Sequence, residues 1–568
     1  MQWPYHIVKL SAAEKHERRV SLDHIGLYAQ FSAILIISCF LLARLAQWII
    51  LKATASTKRR ADYDVVPTAD TSTRRKATPS PRRWLSTKLQ QCLWWLGDEA
   101  AIGRHRIGRR DEWIFGGIWT SWLLFLCVAG TGEDYQHLTK RFGQVATSQF
   151  PLQYLLAAKR LNPVAFAFRT SHENINRWHR VLGYITYILA LLHGAFYLNY
   201  YIQVGGLGHA FLRSVPVLGM LGLLGMTLLS TTALSVIRHY SYRIFIVTHL
   251  VIALAIPPII WFHVHHARLY MGEALCIFLA DVAARKLHTV KASAAIEPIP
   301  GTELIKIVAQ VPPETLRNFR AYPASHAYLS ITSRWRPGVI ASPFTVAAVR
   351  EEAGELTFVA RLRAGPLTKT LERLTGVQSH GVGIGLSIEG PYGAARYFPN
   401  LAGPNFEKVL LVAGGVGATF ILPLFESILT ENPVANVKMV WAVRDVAEAT
   451  WSTLATGRKS VDDDRVHLFV TSRSRESSSL DGSELGNIEM DRLEKAEVSI
   501  SDLKIPVENL RRPDLQMIVD DVFQGGSHGR IAVVVCGPAQ MARDVRKAVG
   551  FWIKLGRDVW FHDENFGW

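Results

Sequence analysis

Seven apolar stretches, each near the length of a bilayer-spanning helix, constrain this chain more than any other feature of its sequence. They run Ile25 to Leu51, Trp113 to Gly130, Gly143 to Phe168, Trp178 to Tyr201, Val215 to Ile237, Tyr242 to His263 and Leu269 to Ala284. A hydrocarbon core of about 30 Å needs about 20 helical residues, so much of the first half belongs in a membrane. The third stretch is the weakest: Lys159, Arg160 and Pro163 mark a break or re-entrant bend, and an interfacial segment there would leave six spans. With 49% hydrophobic and 19% charged residues, the chain is too apolar for a soluble enzyme and too charged to be embedded throughout.

A formal charge of +16 invites a nucleic-acid reading, but its placement argues against one. Between Lys52 and Arg110 lie 14 Lys/Arg against 5 Asp/Glu, with apolar runs on both sides. A basic loop between spans records topology. With seven spans it puts residues 52–112 and the C-terminal half in the cytosol and the first 24 residues outside. Ala53 to Pro81 is rich in Ser, Thr and Pro and reads as disordered. Residues 1–24 lack the short apolar core and cleavage site of a signal peptide, so the first span, 25–51, is retained. The five cysteines, Cys39, Cys92, Cys127, Cys276 and Cys536, have no paired spacing that would imply a disulfide framework or zinc site.

From about Lys286 the pattern changes to short β-rich runs, Leu304 to Gln310, Ala327 to Thr332, Leu356 to Leu362 and Gly385 to Glu389, which read as a small antiparallel barrel over 286–400. After Pro399 come a strand (Lys408 to Ala413), a glycine turn, a helix (Thr419 to Leu429) and strands Val437 to Val443 and Arg530 to Cys536. That alternation predicts a doubly wound parallel sheet over 401–568, with a polar insertion at about 472–512.

The sharpest chemical signal lies within two of the spans. His179 and His193 are 14 residues apart, and so are His249 and His263. Four helical turns put each pair on one face, about 21 Å apart along the axis. One span intervenes, so the two helices run in the same direction. His179 is therefore level with His249, and His193 with His263. Each facing pair can hold one haem iron from both sides, which favours electron transfer over ligand chemistry at the metal. A single intramembrane histidine more often just hydrogen-bonds between helices; four in matched register point to two haems in a bundle spanning 113–285. His265 and His266 lie close enough to compete with His263, which alone keeps the register. His172, His209 and His239 fall at helix ends or loops and read as solvated.

Ser342, Pro343, Phe344 and Thr345 follow a strand and a turn, and Gly365 to Lys369, including Thr368, open a helix whose donors suit a pyrophosphate. Gly414, Gly415 and Gly417 form a glycine turn between strand and helix, short of the full dinucleotide fingerprint. Cys536, Gly537 and Pro538 end a second strand at the same sheet edge, where ligands collect. Arg444, after the strand ending at Val443, is placed to meet a 2′-phosphate or to face solvent.

In this order these residues resemble the fungal ferric reductase family, within the superfamily that includes the NADPH oxidases. The resemblance covers about Arg141 to Trp568, through Asn176-Arg177-Trp178-His179-Arg180, His193, His249, His263, Ser342 to Thr345, Gly390-Pro391-Tyr392-Gly393, Gly414 to Gly417, Cys536-Gly537-Pro538 and Glu564-Asn565-Phe566. It implies a multi-domain membrane protein in which an α-helical transmembrane haem bundle, here preceded by one extra helix, is followed by an antiparallel β-barrel FAD domain and an α/β nucleotide-binding domain, ferredoxin-reductase-like in arrangement. It also implies the cofactors FAD and two haem b, with NADPH as donor. The acceptors would be iron or copper chelates, and the setting membrane lipid, the plasma membrane first and an internal membrane second. His179, His193, His249 and His263 would be metal ligands. Pro343, Phe344 and Thr345 would contact flavin, with Thr368 near its phosphates; Gly414, Gly415 and Gly417 would cradle the nicotinamide cofactor's pyrophosphate. Cys536, Gly537 and Pro538 would sit beside the nicotinamide, and Phe566 over the flavin ring. No residue identifies an iron-uptake partner protein. One departure stands out: the family usually has His-Pro-Phe-Thr where this chain has Ser342. The alternatives are a superoxide-producing oxidase, whose second histidine pair is typically 13 apart, and a non-catalytic scaffold built on a degenerate reductase.

Overall fold

In the computed structural model, residues 4–61, 81–103, 105–331, 341–362, 370–371, 383–452, 463–471, 509–525 and 529–564 are described. The chain divides into two compact units, residues 1–76 with 95–287, and residues 77–94 with 288–568.

The first unit is helical, apart from a short hairpin of β1 (Glu99–Ile102) and β2 (His105–Arg109). Helix α1 (Ala12–Ala61) begins well before the expected Ile25 and runs past Leu51 into the stretch read as disordered. Helix α2 (Pro81–Leu96) ends in this unit but belongs mostly to the second. Then come α3 (Arg110–Val128), α4 (Tyr135–Ser148), α5 (Phe150–Ala157), α6 (Pro163–Phe168) and α7 (His172–Gln203). They are followed by α8 (Leu207–Ala210), α9 (Ser214–Thr232), α10 (Ser235–Tyr240), α11 (Tyr242–His263) and α12 (Arg268–Leu287).

Among the described residues, four helical segments have both the length and the composition to cross a membrane: Ala12–Ile50 of α1, then α7, α9 and α11. Helices α3 and α12 are of spanning length but more polar, α3 opening with Asp111 and Glu112 and α12 carrying Glu273 and Asp281. The third apolar stretch is three helices rather than one. Pro151 opens α5 and Asn162 caps α6, while the chain between them turns over the buried carboxylate of Asp281, which accepts from Arg160 N at 2.8 Å and Leu161 N at 2.9 Å. Backbone groups at a break inside the membrane need such partners. Here a side chain of α12 supplies them.

The second unit holds two sheets. Strands β3 (Thr289–Pro298), β4 (Leu304–Gln310), β5 (His326–Ile331), β6 (Ser342–Arg350), β7 (Glu355–Arg361) and β8 (Ile384–Tyr392) close an antiparallel barrel in the order β3-β4-β7-β6-β5-β8. The inward residues Ala292, Ala294 and Ile296 of β3 alternate with exposed ones, and pack with Ile305, Ile307, Leu329, Phe358 and Ile388. Helix α13 (Pro313–Arg320) buries Leu316 and Phe319 against the same core. Strands β9 (Lys408–Gly414), β10 (Val437–Val443), β11 (Val466–Val470), β12 (Ile531–Cys536) and β13 (Val559–Glu564) form a fully parallel sheet in the order β11-β10-β9-β12-β13. Its central strands are buried on both faces, as parallel sheets require. Helix α14 (Ala418–Glu431) packs toward the barrel side; α15 (Leu515–Gln524) and α16 (Ala539–Lys554) cover the other face. The polar insertion lies outside the described residues over 472–508.

Helix α2 docks on this sheet. Gln90 Nε2 donates to Val559 O at 2.7 Å and Gln91 Nε2 to Ile553 O at 3.1 Å. The Arg546 guanidinium lies 4.1 Å over the Trp94 ring and donates to Trp94 O.

Candidate functional site

In the first unit the two histidine helices bring their rings together. The ring centres of His179 (α7) and His249 (α11) are 6.1 Å apart, and those of His193 and His263 are 6.5 Å apart. A metal bound about 2 Å from each nitrogen, with each nitrogen about 1 Å from its ring centre, requires about 6 Å. Both pairs match that spacing.

Three of the four rings are oriented by backbone carbonyls. His179 Nδ1 lies 3.0 Å from Gln153 O, His193 Nδ1 2.8 Å from Thr139 O, and His263 Nδ1 2.7 Å from Val215 O. A carbonyl oxygen only accepts, so each Nδ1 carries the proton and each Nε2 keeps a lone pair that can bind a metal, the one on His179 lying 3.5 Å from the Gln153 side-chain nitrogen. Buried His249 Nδ1 has no hydrogen-bond partner among the described residues. Gln153 also donates its side-chain amide to His179 O at 3.0 Å, so one residue of α5 holds both the ring and the backbone of that histidine. Helices α4 and α5 thus position both histidines of α7, through Thr139 and Gln153.

Two glycines make room for the outer pair. A Cβ on Gly143 would lie 2.6 Å from His193 Cε1, and one on Gly219 would lie 2.8 Å from His263 Cε1. Neither position drew notice in the sequence, where a glycine in an apolar helix looks like any other small residue. These features suit haem: paired imidazole donors at bonding separation, fixed tautomers, and space cleared around the rings. The rings of His265 and His266 lie close, with centres 3.7 Å apart and planes tilted by 38°, in a 3-10 turn, and His266 Nδ1 is 2.9 Å from Asp23 Oδ1. Arg268 donates to Trp261 O and lies over that ring, which fits anchoring better than acceptor binding. His172, read as solvated, is buried beside Glu173, with its Nε2 3.1 Å from Glu173 Oε1. His209 and His239 are exposed.

In the second unit, Ser342 to Thr345 begin β6, pairing with Leu329, Tyr328, Ala327 and His326 in turn. Ser342, Pro343 and Phe344 are half-buried and Thr345 is buried. Buried His326, opposite Thr345, escaped the sequence reading. Thr368 and Phe566 lie outside the described residues.

The two glycine turns of the sheet touch. A Cβ on Gly417 would lie 2.2 Å from Cys536 O, and one on Gly414 would lie 2.6 Å from Pro538 Cδ. Those two glycines therefore serve the close approach of β9 to β12. Gly415 differs: its φ of 55° favours glycine, and the nearest atom to an added Cβ is Arg361 Nη2 at 3.7 Å. Arg361, also missed in the sequence, ends β7 and pairs with Glu448 at 2.5 Å. It brings a guanidinium to the mouth of the glycine turn, where an anion would sit. Cys536 is buried opposite Glu564, and burial, then that carboxylate, push its thiol pKa well up. Arg444 is exposed at the carboxyl end of β10.

Residues 142–260 match the family described as ferric reductase like transmembrane component, and residues 406–550 match the ferric reductase NAD binding domain. A probable metalloreductase of Meyerozyma guilliermondii is 23% identical over 74% of this chain and 84% of its own length. Ferric/cupric reductase transmembrane component 2 of Schizosaccharomyces pombe is 23% identical over 75% of this chain and 80% of its own. Ferric reductase transmembrane component 3 of Saccharomyces cerevisiae is 25% identical over 76% of this chain and 62% of its own.

Proposed function

We propose that this chain, which belongs with the fungal ferric reductases, is a multi-pass membrane metalloreductase that draws electrons from NADPH and delivers them to ferric or cupric chelates across the membrane. The observation that carries the reading is the pairing of four histidines on two helices at separations that fit a metal between each pair. When bound, FAD turns the two-electron hydride of NADPH into single electrons and two b-type haems relay them, chemistry that no side chain of the protein supplies.

The protein's residues hold and orient. His179 with His249 would ligate the inner haem, and His193 with His263 the outer. Each haem would then be held by two protein imidazoles, one from α7 and one from α11. Gln153, Thr139 and Val215 keep three of those rings in the tautomer that leaves Nε2 for iron. On the barrel, Pro343, Phe344 and Thr345 would line the flavin, and Ser342 offers a hydroxyl donor where the family's usual imidazole would stand. Thr368 and Phe566 take their flavin roles from the resemblance alone. Gly415, with Arg361 beside it, would receive the pyrophosphate of NADPH, and Gly414 and Gly417 let the two turns close around it. Gly537, Pro538 and Cys536 would flank the nicotinamide. We place the haem bundle at 113–285, the flavin barrel at 286–400 and the NADPH domain at 401–568, with the basic loop 52–112 cytosolic, in the plasma membrane.

The test is ferric-chelate reduction by membranes containing the full chain, with NADPH, in air and under argon. The proposal expects NADPH-dependent chelate reduction that persists without oxygen. Superoxide production with no chelate reduction would favour an oxidase, and neither activity from folded protein would favour a scaffold.

A further inference from the structure

Helix α2 has two unlike faces. Gln90, Gln91 and Trp94 hold the parallel-sheet domain, through Val559 of β13 and through Ile553 and Arg546 of α16. Trp94 packs edge-on to Phe561 at 5.1 Å, and a Cβ on Gly550 would lie 2.8 Å from Trp94 Nε1, so the indole fills a place that glycine leaves open. On the opposite side Leu85, Leu89 and Leu93 recur every fourth residue and so form a row. They are 62%, 58% and 58% exposed, with Trp84 and Trp95 also exposed along one edge. A row of leucines open to water is costly, at about 25 cal/mol per Å² of apolar surface. Something covers it.

The charge of the helix indicates what. Pro81–Leu96 contains Arg82, Arg83 and Lys88 and no acidic residue, and Arg74, Arg75 and Lys76 precede it. Leucines on one side, tryptophans at the edge and a wholly basic complement are the features of a helix that lies in the surface of an anionic leaflet. At 16 residues α2 is too short to span. Its chain neighbours on either side, α1 and α3, are of membrane-spanning length, so the segment is tethered near a bilayer at both ends.

We propose that α2 is an interfacial helix: Leu85, Leu89 and Leu93 enter the headgroup–acyl boundary of the anionic inner leaflet, while Gln90, Gln91 and Trp94 hold the nucleotide-binding sheet to it. The inference rests on the protein's being membrane-embedded and is independent of the electron path.

The experiment uses the full chain in nanodiscs, with exposed Cys39, Cys92 and Cys276 replaced by serine. A bimane probe is placed at Leu89→Cys or Leu93→Cys, and at Val434→Cys, an exposed loop residue of the same unit, as reference. In discs of phosphatidylcholine with phosphatidylserine, the probes on α2 should be quenched severalfold more by a lipid-borne nitroxide than the reference, and less by aqueous iodide. Replacing phosphatidylserine by phosphatidylcholine should weaken the lipid quenching. Full iodide access with no lipid quenching would overturn the proposal by showing a solvated face. Protection from both quenchers would overturn it by showing a protein partner, whether a second copy or another segment of the chain. Lipid quenching indifferent to phosphatidylserine would remove the part assigned to the basic residues. The two leucine sites report independently, so a misfolded variant at one leaves the other decisive.

Discussion

The imidazoles of His193 and His263 face one another with ring centres 6.5 Å apart and planes 88° apart, although 70 residues separate them in the chain. The ring of His193 is held by Thr139 O and that of His263 by Val215 O, so two further helices, α4 and α9, fix the geometry. Four elements therefore converge on one metal-sized gap.

Space around that gap is supplied by Gly143 and Gly219. Gly143→Ala puts a methyl 2.6 Å from His193 Cε1, closer than carbon atoms approach, and the ring must turn away from its carbonyl. We expect this variant to lose the outer haem while His179 and His249 keep the inner one, leaving about half the haem absorbance per protein. Gly219→Ala should act in the same direction through His263. Quantifying haem against polypeptide in purified protein checks both.

Arg361 should matter for the nucleotide rather than for haem. Its guanidinium is the nearest group to the open face of Gly415, and Glu448 holds it there. Losing one charge-assisted contact to a phosphate costs roughly 1.5–3 kcal/mol, about tenfold or more in affinity. Arg361→Ala is expected to raise the KM for NADPH by about that factor and leave the haem spectrum unchanged. Glu448→Gln removes the competitor for the guanidinium while keeping its position, and should leave KM equal or lower. Steady-state kinetics with NADPH and a ferric chelate would show both.

Cys536 is expected to be unreactive. Its thiol pKa is raised, first by burial and then by Glu564, and a raised pKa keeps the protonated, non-nucleophilic form as pH rises. Iodoacetamide labelling of Cys536 should therefore stay slow well above neutral pH in the folded chain. Glu564→Gln removes a negative charge that disfavours the thiolate, so labelling should begin at lower pH. Mass spectrometry of the Cys536 peptide against pH checks the sign.

Much of this was legible in the sequence because it depends on local period. The 14-residue spacing placed the four histidines, and the strand periods gave β4 and β10 at their observed bounds. What escaped depends on neighbours remote in the chain. Nothing local marks Gly143 as facing an imidazole on α7, or Arg361 as reaching the turn at Gly415. Strand β13 was missed because His562, Asp563 and Glu564 break its apolar run, and β3 because its inward positions are mostly alanine. The docking of α2 was hidden for the same reason: Trp94 meets Arg546 and Phe561, more than four hundred residues on. The break marked in the sequence by Lys159, Arg160 and Pro163 is present, and Asp281 on a distant helix makes it tolerable; the further break before Pro151 went unread.

Two haems, each held by a histidine pair, would show in the dithionite-reduced minus oxidised spectrum of membranes containing the full chain, recorded beside the same chain with His193→Ala and His263→Ala. The expected result is a b-type haem signal that falls by about half in the double variant, because the inner pair remains. No haem signal from well-expressed, folded protein would contradict it, and so would a signal the double variant leaves unchanged.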